Sequence, residues 1–491
     1  MDKEKKAYLC IPFEIKHRKM HRILFFLFVI LLLPTTIQGK DKYPGPKLYV
    51  YRYYLYNKIG SKYTLDRPSK YLSQKSIERR KRQKLKIDST DLPIPEEQLM
   101  RFNVKGAKIM GKSKWNNTVI VGSADTTLLN LLAQLPNVKK AKKVFQSPDS
   151  INFTLANHKR IIQDHFNRWD SVHNDPLGVS RPQIEMLAGN RLHETELYGK
   201  GMTIAVLDGG FQNVDKLNCF SQLRLAGTND FVSVAKDYTA DYDFFDGIDH
   251  GTKVLSAMAA VAPEVIMGTA PDADYWLLRC EDPLTEMPIE EDYWAMAAEF
   301  ADSVGVDIIN SSLGYNEFDN HFGDYHLRDL DGHTALISHT ASLLANKGII
   351  LCNSAGNSGM GPWKKITAPA DADNIITVGA VNAECKNAPF ASVGPTHDGR
   401  IKPDVVAMGS GTALISGRGA LVRDMGTSFS TPIVTGLVAC LWQGLPKKSA
   451  IEIIELIRNS GSQVDEPDNV LGYGIPDFWK AYIIGRMTND K

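Results

Sequence analysis

From about residue 200 onward, short and mainly apolar runs alternate with longer stretches in which apolar residues recur every three or four positions. Residues 202–207, 275–278, 307–310, 349–352 and 375–381 lack the polar alternation of a half-exposed strand and read as strands buried on both faces. Residues 252–261, 289–303, 335–347, 428–443 and 449–458 read as helices. Strand–helix alternation of this kind predicts a doubly wound, mostly parallel α/β sheet with helices on both faces. Ahead of it lies a different pattern. Residues 48–55 are aromatic-rich and predict a strand, 76–86 a charged helix, 118–121 a strand, 126–135 an apolar-striped helix and 138–145 a closing strand. Together they predict a small α+β domain. A polar stretch over 147–181 separates the two patterns. The expected partition is a leader over 1–39, the α+β domain over 40–150, a linker or processing region over 151–184, and the large α/β domain over 185–487.

Length and composition agree. A chain of 491 residues suits two or three folded units. With 43% hydrophobic and 23% charged residues, a collagen-like, low-complexity or wholly disordered chain is excluded. Six cysteines exclude a disulfide scaffold. The net charge of +1 conceals an asymmetry: residues 40–150 hold 24 Lys and Arg against 9 Asp and Glu, whereas residues 151–491 hold 26 against 44. Opposite fields on one chain predict two parts that attract each other.

The first 39 residues read as a secretory signal peptide: a basic front ending at Arg22, eleven apolar residues over 23–33, Pro34, and Gly39 at a cleavage point. The apolar run is shorter than the roughly 17–25 residues of a membrane span. Export to periplasm, cell surface or medium is expected, with no stable span after cleavage; an uncleaved anchor is the alternative. Removing this segment leaves Cys219, Cys280, Cys352, Cys385 and Cys440. Cys280, Cys352 and Cys440 lie in apolar runs and read as small buried hydrophobes.

Two motifs in the α+β domain mislead. Arg79-Arg80-Lys81-Arg82 has the composition of a nucleic-acid patch; on an exported chain it reads as a solvated helix face, and no nucleic-acid partner is expected. Gly106-Ala107-Lys108-Ile109-Met110-Gly111-Lys112-Ser113 matches the phosphate-loop pattern, which works only between a strand and a helix. Here a strand follows, so nucleotide binding is rejected.

The chemistry lies at element boundaries of the large domain. Asp208 closes a strand before Gly209-Gly210, His250 opens a helix in Asp249-His250-Gly251-Thr252-Lys253-Val254, and Ser428 opens one in Gly426-Thr427-Ser428-Phe429-Ser430-Thr431-Pro432. A hydroxyl, a base to take its proton and a carboxylate to orient the base are what acyl transfer needs. Each is commonplace alone. In the order Asp, His, Ser, with these motifs, the chain resembles the subtilisin-like serine peptidases over about 200–480. The resemblance implies a catalytic triad of Asp208, His250 and Ser428. It makes Asn357, in Asn353-Ser354-Ala355-Gly356-Asn357-Ser358-Gly359, the side-chain donor of an oxyanion hole. It makes Ser312-Leu313-Gly314 the strand that pairs with substrate backbone. Ser354, Ala355 and Gly356 join it in lining the S1 pocket, with Thr367 near its floor. One departure is Gly209, where the family usually carries Ser or Thr. The resemblance also implies that residues 40–150 are an inhibitory propeptide. Their Ser113-Lys114-Trp115-Asn116 segment is similar to that of exported relatives from Bacteroidetes-like bacteria.

The expected function is therefore an exported serine endopeptidase made as an autoinhibited zymogen, acting as a monomer on protein or peptide substrates. No charge stands among the predicted S1 residues, so an uncharged, apolar P1 side chain is expected. The closing strand and tail, about 138–150, are expected to lie along Ser312-Leu313-Gly314, guided by Lys139, Lys140, Lys142 and Lys143. An α/β-hydrolase is set aside because its nucleophile comes first and sits in Gly-x-Ser-x-Gly, whereas position 430 is Ser. A pseudopeptidase is set aside because no triad member is missing. Catalytic zinc is set aside because His158, His165 and His173 lack ligand spacing and there is no His-Glu-x-x-His. No cofactor is needed for the chemistry. Structural calcium stays open and unassigned, with Asp241, Asp243, Asp246 and Asp249 and the Asp329-Leu330-Asp331-Gly332 run as acidic loops.

Overall fold

Seven parallel strands form the central sheet of the computed structural model, which describes residues 41–151, 175–234 and 243–488. The predicted leader, most of the linker with its three histidines, and Asp241 lie outside the described residues. The small domain contributes β1 (Tyr49–Leu55), α1 (Gln74–Arg82), β2 (Lys108–Ser113), β3 (Thr118–Ser123), α2 (Thr126–Leu132) and β4 (Val138–Gln146). The large domain contributes β5 (Thr203–Asp208), β6 (Arg224–Asp230), α3 (His250–Ala259), β7 (Asp274–Arg279), α4 (Glu290–Val304), β8 (Ile308–Ser311), α5 (Leu336–Leu343), β9 (Ile350–Ser354), β10 (Ile376–Val381) and β11 (Val405–Met408). A hairpin of β12 (Ser410–Ile415) and β13 (Leu421–Met425) follows, then α6 (Thr427–Gly444), α7 (Ala450–Asn459) and α8 (Phe478–Met487). The sheet order is β11-β10-β9-β8-β5-β7-β6. From β5 the chain runs to the edge strand β6, returns to β7 between the two, and then crosses to β8 on the other side of β5, so Asp208 and Ser311 end the two strands at the switch point, where α/β sheets place their ligands.

Both faces of this sheet are covered, which is why its strands read as unbroken apolar runs. Ile204, Val206 and Ile350 pack with α3 and α6 on one side; Ala205, Leu207 and Leu351 pack with α4 and α5 on the other. The largest fully buried side chains, Trp294 and Trp442, anchor the two layers. Each satisfies its indole N–H: Trp294 donates to Ser311 Oγ at 3.0 Å and Trp442 to the Lys448 carbonyl at 2.9 Å. The edge strand β6 and the hairpin were not expected from sequence. Residues 224–230 are largely polar and exposed, so no apolar run marks them.

In the small domain, antiparallel strands in the order β2-β3-β1-β4 make a two-faced sheet. Tyr53, Val119 and Val121 form its own core with Leu129 and Phe102. Val50, Ile120, Val144 and Phe145, on the opposite face, join the large domain's cluster with Tyr293 and Trp294 of α4. The phosphate-loop look-alike lies mostly in β2, paired with β3, so no helix N-terminus faces it.

The docking also overturns the reading of Arg79-Arg80-Lys81-Arg82 as a solvated helix face. Lys81 is exposed, but Arg79 and Arg80 are buried. Arg79 pairs with Asp302 of α4, and Arg80 reaches both Asp302 oxygens at 2.8 and 2.9 Å and Asp91 at 2.9 Å. Burial pushes the Asp302 carboxyl up, but the two guanidinium groups more than offset this and hold it below the usual range. Arg52 grips Asp292 with Nε and Nη2 at 2.7–2.9 Å. Glu299 accepts the N–H groups of Lys114 and Trp115 at 2.9 Å. The attraction expected from net charge is thus concentrated in buried arginine pairs. The expected path of the tail is corrected as well. Ser150–Ile151 pair antiparallel with Asp41–Lys42, and among the described residues no hydrogen bond joins the tail to Ser312-Leu313-Gly314. The Ile289 N–H donates instead to the Val144 carbonyl at 3.1 Å.

Candidate active site

Asp208, the last residue of β5, is fully buried, and its two carboxylate oxygens both stand 2.9 Å from Nδ1 of His250, the first residue of α3. The pair fixes the imidazole with Nδ1 protonated and Nε2 directed elsewhere. Burial alone would lower the His250 pKa. The Asp208 charge and hydrogen bond reverse this, Glu281 adds to it, and the result is about 9. Gly209 now has a reason. A Cβ there would lie 3.0 Å from Ile248 Cδ1 and 3.2 Å from Glu281 Oε2, so this acidic wall and a residue larger than glycine compete for one place.

Ser428 is the second residue of α6, and the neighbouring Phe429 ring lies 5.8 Å from that of His250. Its Oγ donates to the Ser312 carbonyl at 3.2 Å, and Ser312 Oγ donates back to the Ser428 carbonyl at 2.9 Å. The second bond explains Pro432. In a helix the Ser428 carbonyl would accept from the N–H four residues on, but Pro432 has none. Ser312 satisfies the orphan and ties the first turn of α6 to the end of β8. Ser312 was expected only as a wall of the substrate cleft; the helix-holding role rests on a hydrogen bond between residues 116 positions apart.

Asn357 is brought to the same place. Its Oδ1 accepts from the Thr427 N–H and from Thr427 Oγ1, each at 2.9 Å, while Thr427 Oγ1 accepts the Gly356 N–H at 3.2 Å. With the carbonyl end committed to Thr427, the amide N–H₂ end is left facing the start of α6. Thr427 is a positioning residue that sequence reading passed over. The signal was present as the residue preceding Ser428, but its partner was not. Leu313 is held by Asn353 Nδ2 and Ser354 Oγ, both 3.3 Å from its carbonyl. Thr367 lies against both Gly314 and Gly356: a Cβ on either would come within 3.0 Å of its Oγ1. Thr367 and Ala355 are both buried.

The five described cysteines are free thiols; Cys219, Cys280, Cys352 and Cys440 are buried and Cys385 is exposed. The acidic loops are occupied with backbone: Asp331 caps His333 and Thr334, and Asp249 accepts from Gly417. Among the described residues no group of three or more His, Cys, Asp or Glu is placed to hold a metal ion, and no helix is long and apolar enough to cross a membrane.

Residues 199–474 match the Subtilase family, Peptidase S8. The chain belongs to the subtilase family. Residues 50–161 match the Peptidase S8 propeptide domain of Bacteroidota, so the small domain is a propeptide domain. Subtilisin NAT of Bacillus subtilis subsp. natto is 26% identical over 382 residues, covering 74% of this chain and 90% of that one. Subtilisin Savinase of Lederbergia lenta is 25% identical, covering 61% and 96%. The membrane-bound transcription factor site-1 protease of Rattus norvegicus is 24% identical over 64% of this chain, which spans 30% of that relative's length. The chain thus joins a subtilase-family domain to a Peptidase S8 propeptide domain.

Proposed function

We propose that this subtilase is an exported serine endopeptidase, made as a zymogen whose 40–150 region inhibits it until the 151–184 segment is cut and the 185–487 domain is freed. The observation that carries the reading is the Asp208–His250 pair, 2.9 Å apart, with Phe429, which follows Ser428 at the start of α6, 5.8 Å from the His250 ring. His250 takes the proton of Ser428 Oγ as it attacks a peptide carbonyl; Asp208 holds the imidazole and stabilises its cation. Ser428 must first leave the Ser312 carbonyl by turning about χ1. The oxyanion is held by the Asn357 amide and by the Ser428 N–H, in the first turn of α6 where N–H groups lack helical partners. The leaving amine takes the proton from His250, and water repeats the steps on the acyl-enzyme. Ser312, Leu313 and Gly314 pair with substrate backbone. Ser354, Ala355, Gly356 and Thr367 bound an uncharged pocket for an apolar P1 side chain. A fluorophosphonate probe should label Ser428 alone, and N-terminal sequencing of the purified protein should locate both the leader and propeptide cuts. Absence of label in fully processed protein would refute the reading.

Two further results are expected. Asn357→Ala should fold and bind substrate but lose on the order of 10²–10³-fold in kcat; an unchanged kcat would assign the oxyanion to another donor. The base must be neutral to act, and His250 titrates at about 9. So kcat/KM should fall as pH drops through this value and plateau above it. Glu281→Gln, by removing a negative neighbour, should move that midpoint to lower pH. A pH–rate profile flat from 6 to 9 would contradict the field described around His250.

A further inference from the structure

Polar residues stand at the end of β8: Asn310, Ser311 and, just beyond the strand, Ser312. Strand alternation sends them to opposite faces. Ser311 turns to α4, where it takes the Trp294 indole N–H. Asn310 and Ser312 share the face that packs on α6. That face is otherwise apolar, with Ile308, Cys352, Val434 and Leu437 in one cluster. An amide in such a layer is costly unless its hydrogen bonds are met, and Asn310 is fully buried. Its partners form a relay. Thr435 Oγ1, about two turns along α6 from Ser428, donates to Asn310 Oδ1 at 2.9 Å. Asn310 Nδ2 donates to Ser312 Oγ at 3.2 Å, and Ser312 Oγ donates to the Ser428 carbonyl at 2.9 Å. All three side chains are buried. The relay leaves α6 at Thr435, crosses the end of β8 and returns to α6 at the nucleophile.

Each hydroxyl has one hydrogen to give, so the relay can run in two directions. In the direction just described, the Ser428 carbonyl is satisfied. In the reverse direction Thr435 Oγ1 donates to the Thr431 carbonyl, which also lies 2.9 Å away. The Asn310 amide then turns over and donates to Thr435, and Ser312 Oγ donates to Asn310. That leaves the Ser428 carbonyl without a donor, because Pro432 has no N–H to offer it. A buried carbonyl in that state is costly. The Thr431 carbonyl has no such need, since the Thr435 N–H serves it within the helix. Pro432 therefore favours the first direction, and the Thr435 hydroxyl, by occupying Asn310 Oδ1, locks it.

We infer that Asn310 and Thr435 are positioning residues for the nucleophile: Thr435 sets the direction of the Asn310 amide, and this keeps the Ser312 hydroxyl on the Ser428 carbonyl and the first turn of α6 in place. The inference rests on the peptidase reading above. The test is kcat and KM per Ser428 titrated with fluorophosphonate, in processed enzyme, freed by an added protease where a variant does not free itself. Thr435→Val removes the lock and keeps the shape. Its kcat should fall about 10- to 100-fold, the cost of a misplaced reacting group, with KM within about twofold of wild type. The His250 midpoint in the pH–rate profile should stay where it is, and Thr435→Ser should restore kcat. Asn310→Leu should cost only a few-fold, because Ser312 then has the Ser428 carbonyl as its acceptor and no amide to capture it. Adding Thr435→Val to Asn310→Leu should cost nothing further, a coupling that separate packing losses would not produce. An unchanged kcat in Thr435→Val, or losses that multiply in the double variant, overturns the relay and leaves the peptidase reading standing. Where Thr435→Val yields no titratable enzyme, the double variant carries the test: it should match Asn310→Leu, and any further loss overturns the relay. Wild-type protein that neither hydrolyses peptides nor takes the label overturns the peptidase reading, and the positioning role with it.

Discussion

Replacing Ser428 by alanine is expected to lower kcat on the order of 10⁶-fold and to leave the propeptide attached to the chain. The Oγ makes one hydrogen bond, to the Ser312 carbonyl at 3.2 Å, so its loss costs folding only about 1 kcal/mol. The reciprocal bond from Ser312 Oγ to the Ser428 carbonyl survives, because it uses backbone. The variant should therefore give an intact mass for the uncut chain, a melting temperature within a few degrees of the unprocessed wild type, and no detectable peptide turnover. His250→Ala should behave alike. Turnover near the wild-type level in either variant would end the assignment of the triad. Cleavage of the propeptide in Ser428→Ala by an added protease, with the chain otherwise inert, would separate self-processing from processing by another enzyme.

The second large effect is expected at the interface between propeptide and enzyme. Arg80→Ala leaves Asp302 and Asp91 with one buried cation fewer, at contacts of 2.8–2.9 Å. Removing one partner of a buried ion pair costs about 3–5 kcal/mol. Propeptide supplied in trans to processed enzyme should thus inhibit about 10²- to 10³-fold less tightly, mainly through faster dissociation. Neutralising Lys139 and Lys140 should do far less: both are exposed, their effect belongs to association rate, and salt screens it beyond about 10 Å at 0.1 M. Inhibition constants and rate constants measured at two salt concentrations distinguish the two sets. Equal inhibition by the Arg80→Ala and wild-type propeptides would mean that the apolar face of Val50, Ile120, Val144 and Phe145 suffices for docking.

These expectations differ in how much of them the chain discloses before it folds. The alternation of apolar runs was enough for a parallel α/β sheet, because strands buried on both faces carry their environment in their own composition. Asp208, His250 and Ser428 were legible for a similar reason. Each ends a strand or opens a helix, inside a short motif whose glycines, proline and small residues are dictated by local geometry. What stayed hidden depends on residues that meet only in three dimensions. Arg79 and Arg80 carry a run that any exposed helix would tolerate; their partner Asp302 lies 222 residues beyond Arg80. Edge strand β6 has the composition of a loop, since one flank of it faces water and its hydrogen bonds come from β7. Glu281 is one acidic residue among many until β7 sets it against Gly209 and the Asp208–His250 pair. Ser312 and Thr427 show their holding roles only when α6 is laid across the ends of β8 and β9. By itself the sequence determined the class of fold, the places of Asp208, His250 and Ser428 at element boundaries and the existence of a separate basic domain, because those follow from local composition and short-range motifs. The tertiary structure decided which charges are buried, what they pair with and which wall of the cleft is acidic, because burial and pairing are properties of surfaces brought together, and no single segment of the chain contains them.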